Sequence, residues 1–246
     1  MPYYGYGYGY GGYGLAYSWT YLLVLAGVIV CLIASAKVRS TYNRYSSVRS
    51  MSGMTGAQAA QRILAHAGIR DVQIQHVSGN LTDHYDPGRK VLRLSDSVYS
   101  SSSIAAIGVA AHETGHAIQH ARNYAPLSLR SLMVPLANIG SRLSMPLILI
   151  GLLFSFASSM GDTLITLGII FFGLSVVFTI ITLPVEFNAS RRAIACLDES
   201  RILYSDEIDG AKKVLSAAAM TYVASTVVAL ANLLRLIVVF GNRRDD

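Results

Sequence analysis

Residues 145–183 read MPLILIGLLFSFASSMGDTLITLGIIFFGLSVVFTIITL. Two uncharged runs, 145–160 and 163–183, flank the short break Gly161-Asp162. A hydrocarbon core about 30 Å thick needs roughly 20 helical residues. The pair therefore predicts two membrane-spanning helices joined as a hairpin, the first reaching full length once Ser144 and the Gly161 side are included. Residues 19–36 form a third uncharged run. Residues 217–234 form a fourth, followed by Arg235 and then 236–240. The fourth is rich in Ala, Ser and Thr, which suits packing against other helices. Arg235, Arg243 and Arg244 leave it open between a spanning helix and a partly buried interfacial one.

Composition agrees with a membrane chain. Hydrophobic residues make up 52% of the 246 positions and charged residues 14%, against roughly 25% charged in a soluble domain. Mean hydropathy is +0.43. These values argue against an ordinary soluble enzyme and against a disordered chain. The net charge is +6. The basic residues flank apolar runs and no base-stacking motif accompanies them, so they point to anionic lipid head groups and not to nucleic acid. Cys31 and Cys196 offer neither a CxxC spacing nor a disulfide framework.

Orientation follows from the Lys/Arg bias. No Lys or Arg precedes Trp19, whereas Lys37, Arg39, Arg44 and Arg49 follow the first run closely. Between positions 37 and 142 there are 12 Lys/Arg and 5 Asp/Glu. The expected topology is multi-pass, with the N-terminus outside, residues 37–142 in the cytosol and the hairpin tip at 158–162 outside. A cleaved signal peptide is the rival reading of the first run, since Ala34-Ser35-Ala36 resembles a cleavage site. Signal peptides carry positive charge before the apolar run, and here it comes after. Residues 1–18 contain Tyr3-Tyr4-Gly5-Tyr6-Gly7-Tyr8-Gly9-Tyr10, too poor in aliphatic residues for a core, and are expected to be a disordered tail.

The polar stretch 37–142 reads as a small α+β unit. Thr55-Gly56-Ala57-Gln58 has the form of a capping box ahead of a helix that stops at Gly68. Residues 71–77 alternate as a strand. Residues 81–85 and 91–94 flank Asp86-Pro87-Gly88-Arg89, which predicts a hairpin. Ser100 to Ser103 then offer caps for a helix starting at Ile104.

That helix contains His112-Glu113-Thr114-Gly115-His116. Residues four apart share a helix face, so His112 and His116 can converge on one zinc ion. Glu113 sits beside the metal, where its carboxylate can take a proton from the activated water. His120 lies one more turn along, about 6 Å, too far to share the same ion.

A catalytic zinc usually has three protein ligands and one open position. Glu186, in Pro184-Val185-Glu186-Phe187-Asn188-Ala189-Ser190, follows the third apolar run. Two crossings return the chain to the side it left, so Glu186 can reach the zinc. It could instead be an interfacial carboxylate paired with Arg191 or Arg192. Asp198 and Glu199 are rival ligands. Asp206, Glu207 and Asp209 read as a solvated face.

These residues carry a resemblance. Val109-Ala110-Ala111-His112-Glu113-Thr114-Gly115-His116-Ala117-Ile118-Gln119-His120 with Ala125-Pro126-Leu127 resembles the YugP-like neutral zinc metallopeptidases of bacterial membranes. So do Ser52-Gly53-Met54-Thr55-Gly56, Leu81-Thr82-Asp83-His84-Tyr85-Asp86-Pro87, the Glu186 segment, and Ala211-Lys212-Lys213-Val214-Leu215-Ser216-Ala217-Ala218-Ala219. The likeness covers nearly all of the chain from Trp19 onward. It implies a multi-pass protein of the bacterial cell membrane with His112, His116 and Glu186 on one zinc ion and Glu113 as catalytic acid/base. A more distant likeness is to gluzincins related to HtpX and the CAAX-processing proteases. Their second motif often reads Glu-x-x-Ala-Asp, and Ser190 stands here at the Asp position.

The expected fold is therefore a mainly α integral membrane protein with a small α+β gluzincin-like unit. Its expected segments are a tail over 1–18, a span over 19–36, the cytosolic unit over 37–142, a helical hairpin over 143–183, a cytosolic helical segment over 184–215, and a fourth apolar helix with a short tail over 216–246. The expected function is hydrolysis of peptide bonds in a peptide or protein substrate, a membrane protein among the candidates, at the cytosolic membrane face. Two alternatives are an intramembrane-cleaving metalloprotease and a non-catalytic scaffold stabilised by zinc. His84, Tyr85 and Tyr222 are candidates for steadying the oxyanion.

Overall fold

A computed structural model describes residues 12–155 and 159–241, with the backbone alone for 12–18. The elements are α1 (Gly12–Ser46), α2 (Gly56–His66), β1 (Gln73–Val77), β2 (His84–Asp86), β3 (Val91–Ser95), α3 (Asp96–Tyr99), α4 (Ile104–Ala121), α5 (Ala125–Phe154), α6 (Met160–Glu199) and α7 (Ser205–Gly241). The chain is mainly helical with one small sheet.

Local chemistry sets the borders of the polar unit. Thr55 Oγ1 accepts the Gln58 N–H while Gln58 Oε1 accepts the Thr55 N–H, a reciprocal cap that starts α2. Gly68, at φ 73°, lets the chain leave that helix through the left-handed region. Ser103 Oγ accepts the Ala106 N–H and starts α4. The sheet order is β1-β3-β2, with β1 parallel and β2 antiparallel to the central β3. Leu92 and Leu94 of β3 pack with Ala60 of α2 and with Ala106 and Ala110 of α4. The first arm of the hairpin, expected over 81–85, is shorter and spans His84–Asp86. Leu81 adopts φ 56°, and the Asp83 carboxylate accepts the Ser95 N–H at 2.7 Å and its O–H at 2.9 Å. A side chain thus does there what strand pairing would otherwise do.

Among the described residues four helices are long and apolar enough to cross a membrane: 19–46 within α1, then α5, α6 and α7. Helices α5 and α6 form a tight antiparallel pair. A Cβ at Gly140 would lie 2.4 Å from the Phe171 carbonyl, and one at Gly168 would lie 2.8 Å from that of Ser144. Such close approach is how helices gain contact where no hydrophobic effect drives them together. Helices α1 and α7 also run antiparallel, with Tyr45 against Gly210 at one end and Gly27 against Val228 further along. The Arg235 guanidinium lies 4.0 Å over the Tyr21 ring. That contact gives the charge near the far end of α7 an aromatic face to rest on.

The structure departs from the sequence reading in the long helices and the acidic cluster as well. Of the tail expected over 1–18, residues 1–11 lie outside the described residues, and 12–18 are already helical backbone. Extending a helix from an established apolar run is cheap compared with nucleating one. The borders expected at 142/143, 183/184 and 215/216 fall inside α5, α6 and α7. Pro184 does not interrupt α6, because a proline removes a single N–H and spanning helices absorb that loss locally. Glu207 is not on a solvated face: it is 7% exposed. Its carboxylate accepts the Met51 N–H at 2.6 Å and the Tyr204 N–H at 2.9 Å, tying the end of α1 to the start of α7.

Helix α4 lies at the centre of this arrangement. Its Ile104, Ile107 and Ala111 join Ile63 of α2, Leu197 of α6, and Ile208, Ala211 and Leu215 of α7 in one buried cluster.

Candidate metal centre

Two helix faces meet at the centre of the molecule. On α4, His112, Gly115 and His116 stand at i, i+3 and i+4. On α6, Glu186, Ala189 and Ser190 do the same. Residues with that spacing share one helix face. Gly115 lets the faces close: a Cβ there would lie 2.5 Å from the Ala189 carbonyl. With the backbones this near, Glu186 Oε2 comes to 3.2 Å from His112 Nε2 and 3.7 Å from His116 Nε2. One donor atom from each of His112, His116 and Glu186 lies within 4.8 Å of the others.

Each donor is held from behind. Ser190 Oγ lies 3.1 Å from His112 Nδ1. Gln119 Oε1 lies 3.0 Å from His116 Nδ1. Gln119 is itself fixed, because its Nε2 donates to the Val185 carbonyl at 2.8 Å and to Asn188 Oδ1 at 3.0 Å. Arg192 Nε donates to the same Asn188 oxygen at 2.7 Å. Arg130 Nη1 donates to Glu186 Oε1 at 3.1 Å, leaving Oε2 turned toward the imidazoles.

This wiring fixes a tautomer. A backbone carbonyl only accepts, so the Val185 bond orients the Gln119 amide and leaves its Oε1 facing His116. His116 Nδ1 must then carry the proton, and in the neutral ring Nε2 presents a lone pair. Glu186 Oε2 is buried and has no hydrogen-bond partner. A lone pair and a carboxylate oxygen facing each other in a buried site repel unless a proton or a metal cation lies between them. Two imidazole nitrogens and a carboxylate oxygen suit zinc. Tetrahedral bonds of about 2.05 Å place ligand atoms about 3.3 Å apart, close to the two distances that Glu186 makes, while the imidazole donors, within 4.8 Å, would draw together around an ion. The residues present fit a zinc ion.

Two hollows adjoin the donors, of about 240 Å³ and about 300 Å³. Both are lined by Asp83, His112, Glu113, Glu186 and Tyr222. The first continues between Val38 and Tyr42 of α1 and Val214 and Ala218 of α7. The second continues past His84, Tyr85, Arg130 and Ser131. Burial raises the Glu113 carboxyl above the ordinary carboxylate range, against the opposing pull of the two histidines.

The remaining sequence candidates separate. Glu199 pairs with His66 at 3.5 Å, and Asp198 is exposed, so neither rival ligand reaches the donors. His120 is bonded through Nδ1 to the Tyr85 hydroxyl at 2.9 Å. His84 is engaged by the Thr82 carbonyl and by Arg93. Of the three proposed oxyanion residues, Tyr222 lines both hollows, whereas His84 and Tyr85 line one. The sequence reading does not reach Arg130, Gln119 and Asn188. The available signal is a glutamine three positions past a candidate ligand histidine, on the face that α4 buries.

A helical bundle with four membrane-length helices, and two histidines and a glutamate poised for one ion, define a candidate membrane zinc metalloprotein. Residues 20–241 match the family described as "Putative neutral zinc metallopeptidase", and the chain belongs to that family. It is 46% identical over 224 residues to a protein of Bacillus subtilis (strain 168) named "Putative membrane protease YugP", a match covering 91% of this chain and 97% of that one. No solved structure matches.

Proposed function

We propose that the protein is a membrane-bound zinc metalloendopeptidase of gluzincin type. His112, His116 and Glu186 hold one catalytic ion and Glu113 is the acid/base. The observation that carries this reading is the convergence of one donor atom each from His112, His116 and Glu186 within 4.8 Å, with Glu113 alongside in two hollows that share part of their lining. Bound zinc would acidify a water molecule and polarise a carbonyl.

The chain's own residues supply the rest. Glu113 accepts a proton from the attacking water and delivers it to the departing amine nitrogen. Its raised proton affinity suits a group that must give the proton back. The Tyr222 hydroxyl borders both hollows and donates to the oxygen that gains charge. Among the described residues β2 is an edge strand, paired only with β3, and His84 and Tyr85 in it line the second hollow. An extended peptide adding to that edge would run past the donors from one hollow to the other.

The site belongs at the membrane surface and, by the Lys/Arg bias, on the cytosolic side. Val38, Tyr42 and Glu186 all lie just beyond the uncharged runs of their helices, which favours this over cleavage within the bilayer. A scaffold with structural zinc would need a fourth protein ligand. Among the described residues only three His, Cys, Asp or Glu donors converge here.

The test compares purified wild type with Glu113→Gln in detergent. Zinc content should be one per chain in both, and only the wild type should cleave an unfolded membrane-protein substrate. Full activity in Glu113→Gln, or zinc retained by a His112→Ala/His116→Ala double variant, would overturn the assignment.

A further inference from the structure

Helices α1 and α7 wall the first hollow on one face and a second, separate groove on another. Val38 and Tyr42 of α1 turn to the hollow, whereas Lys37 and Arg44 line the groove, together with Lys212 and Lys213 of α7. The groove has a volume of about 530 Å³ and includes the apolar side chains Tyr45 and Met220. That size is typical of a small-molecule site.

Its depth is set by the sequence. Lys37 is the first residue after the uncharged run 19–36, and Lys213 closely precedes the uncharged run 217–234. The cations therefore gather on both helices at the level where apolar chain gives way to water. Lys212 has a carboxylate partner, Asp209 at 3.4 Å. Among the described residues Lys37, Arg44 and Lys213 form no ion pair. Like charges drawn together without counter-ions repel, and a bound anion relieves that repulsion.

We propose that this groove binds the headgroup of an anionic phospholipid. Its phosphate is held by the four cations, and its acyl region lies along Met220 and the apolar part of α7. The combination selects a lipid: a soluble anion would use the cations but leave the apolar lining and the interfacial depth unexplained. The lipid would bridge α1 to α7 and so brace the wall of the first hollow. The proposal stands whether or not the protein cleaves peptides.

The test is native mass spectrometry of the full chain in detergent, titrated with phosphatidylglycerol or with phosphatidylcholine of the same acyl chains. Wild type should retain one phosphatidylglycerol where phosphatidylcholine is lost. Lys37→Gln/Lys213→Gln should weaken that retention about tenfold. Arg62→Gln/Arg70→Gln, which removes equal charge elsewhere, should not. Inorganic phosphate at matched concentration should fail to displace the lipid. Equal retention in wild type and the groove variant, or equal retention of the two lipids, overturns the proposal. Displacement by inorganic phosphate overturns it in favour of a free-anion site. Zinc content reports folding, and should the double variant lose zinc, Lys213→Gln alone carries the same comparison.

Discussion

Arg130 holds Glu186 by one oxygen and leaves the other for the imidazoles: Nη1 lies 3.1 Å from Oε1, while Oε2 lies 3.2 Å from His112 Nε2. The two residues come from different long helices, α5 and α6, and Glu186 is 2% exposed. A buried carboxylate needs compensation on both sides. In the proposed zinc-bound state the cation supplies one half. In the zinc-free state Arg130 is the nearest fixed positive charge.

Arg130→Gln should therefore destabilise the zinc-free protein more than the zinc-loaded one. A charge-assisted hydrogen bond of this kind contributes on the order of 1–3 kcal/mol. Thermal melts with and without chelator should show the larger fall in the chelated sample. An equal fall in both would mean that Arg130 acts on packing and not on the Glu186 charge.

Ser190 and Gln119 orient the imidazoles from the far nitrogen. Groups in that position commonly change metal affinity by about 10–100-fold when removed. Ser190→Ala and Gln119→Leu should each weaken zinc binding within that range, read by competition with a fluorescent chelator. Gln119→Leu should have the larger effect, since it also frees the Val185 carbonyl and Asn188. Ser190→Asp, restoring a carboxylate behind His112, should bind zinc at least as tightly as wild type.

Gly115 and Gly108 lie two turns apart on α4 and should respond differently to alanine. At Gly115 the new methyl would sit 2.5 Å from the Ala189 carbonyl, whereas at Gly108 it would sit 3.6 Å from the Ala211 Cβ. Gly115→Ala must push α4 off α6, at about 1–3 kcal/mol as for overpacking elsewhere, and should lower zinc content. Gly108→Ala makes an ordinary contact and should melt within a few degrees of wild type.

The Gly79 N–H and, next, the His76 ring hold the Asp96 carboxyl below its ordinary value. A depressed carboxyl stabilises the fold above its unfolded value and loses that contribution as pH falls through the folded one. The melting temperatures of wild type and Asp96→Asn should accordingly converge between about pH 5 and about pH 3. A gap that stays constant over that interval would assign Asp96 a purely steric role.

Much of this architecture was legible because it rests on local rules. Uncharged runs announced four long helices, and the Thr55–Gln58 cap marked where α2 begins. The i, i+4 spacing of His112 and His116 placed both on one face of α4. Reading residues 145–183 as a helical hairpin brought Glu186 back toward them. What stayed hidden depends on contacts between distant segments. Arg130 pairs with a residue 56 positions away, and Ser190 meets His112 across 78. Neither carries a pattern that periodicity could reveal. Glu207 escapes for the same reason: three acids close together look solvated until Met51, 156 positions away, arrives to use one of them.

Helix α6 runs unbroken from Met160 to Glu199, so its apolar run and the proposed metal ligand Glu186 belong to one rigid rod. Each residue turns such a rod by about 100°. Inserting one anywhere between Gly168, which meets α5, and Glu186 would swing the carboxylate away from His112 or tear the hairpin apart. The length of the membrane anchor is therefore locked in register with the chemistry, and trimming the spans to free a water-soluble fragment would dismantle the centre along with them.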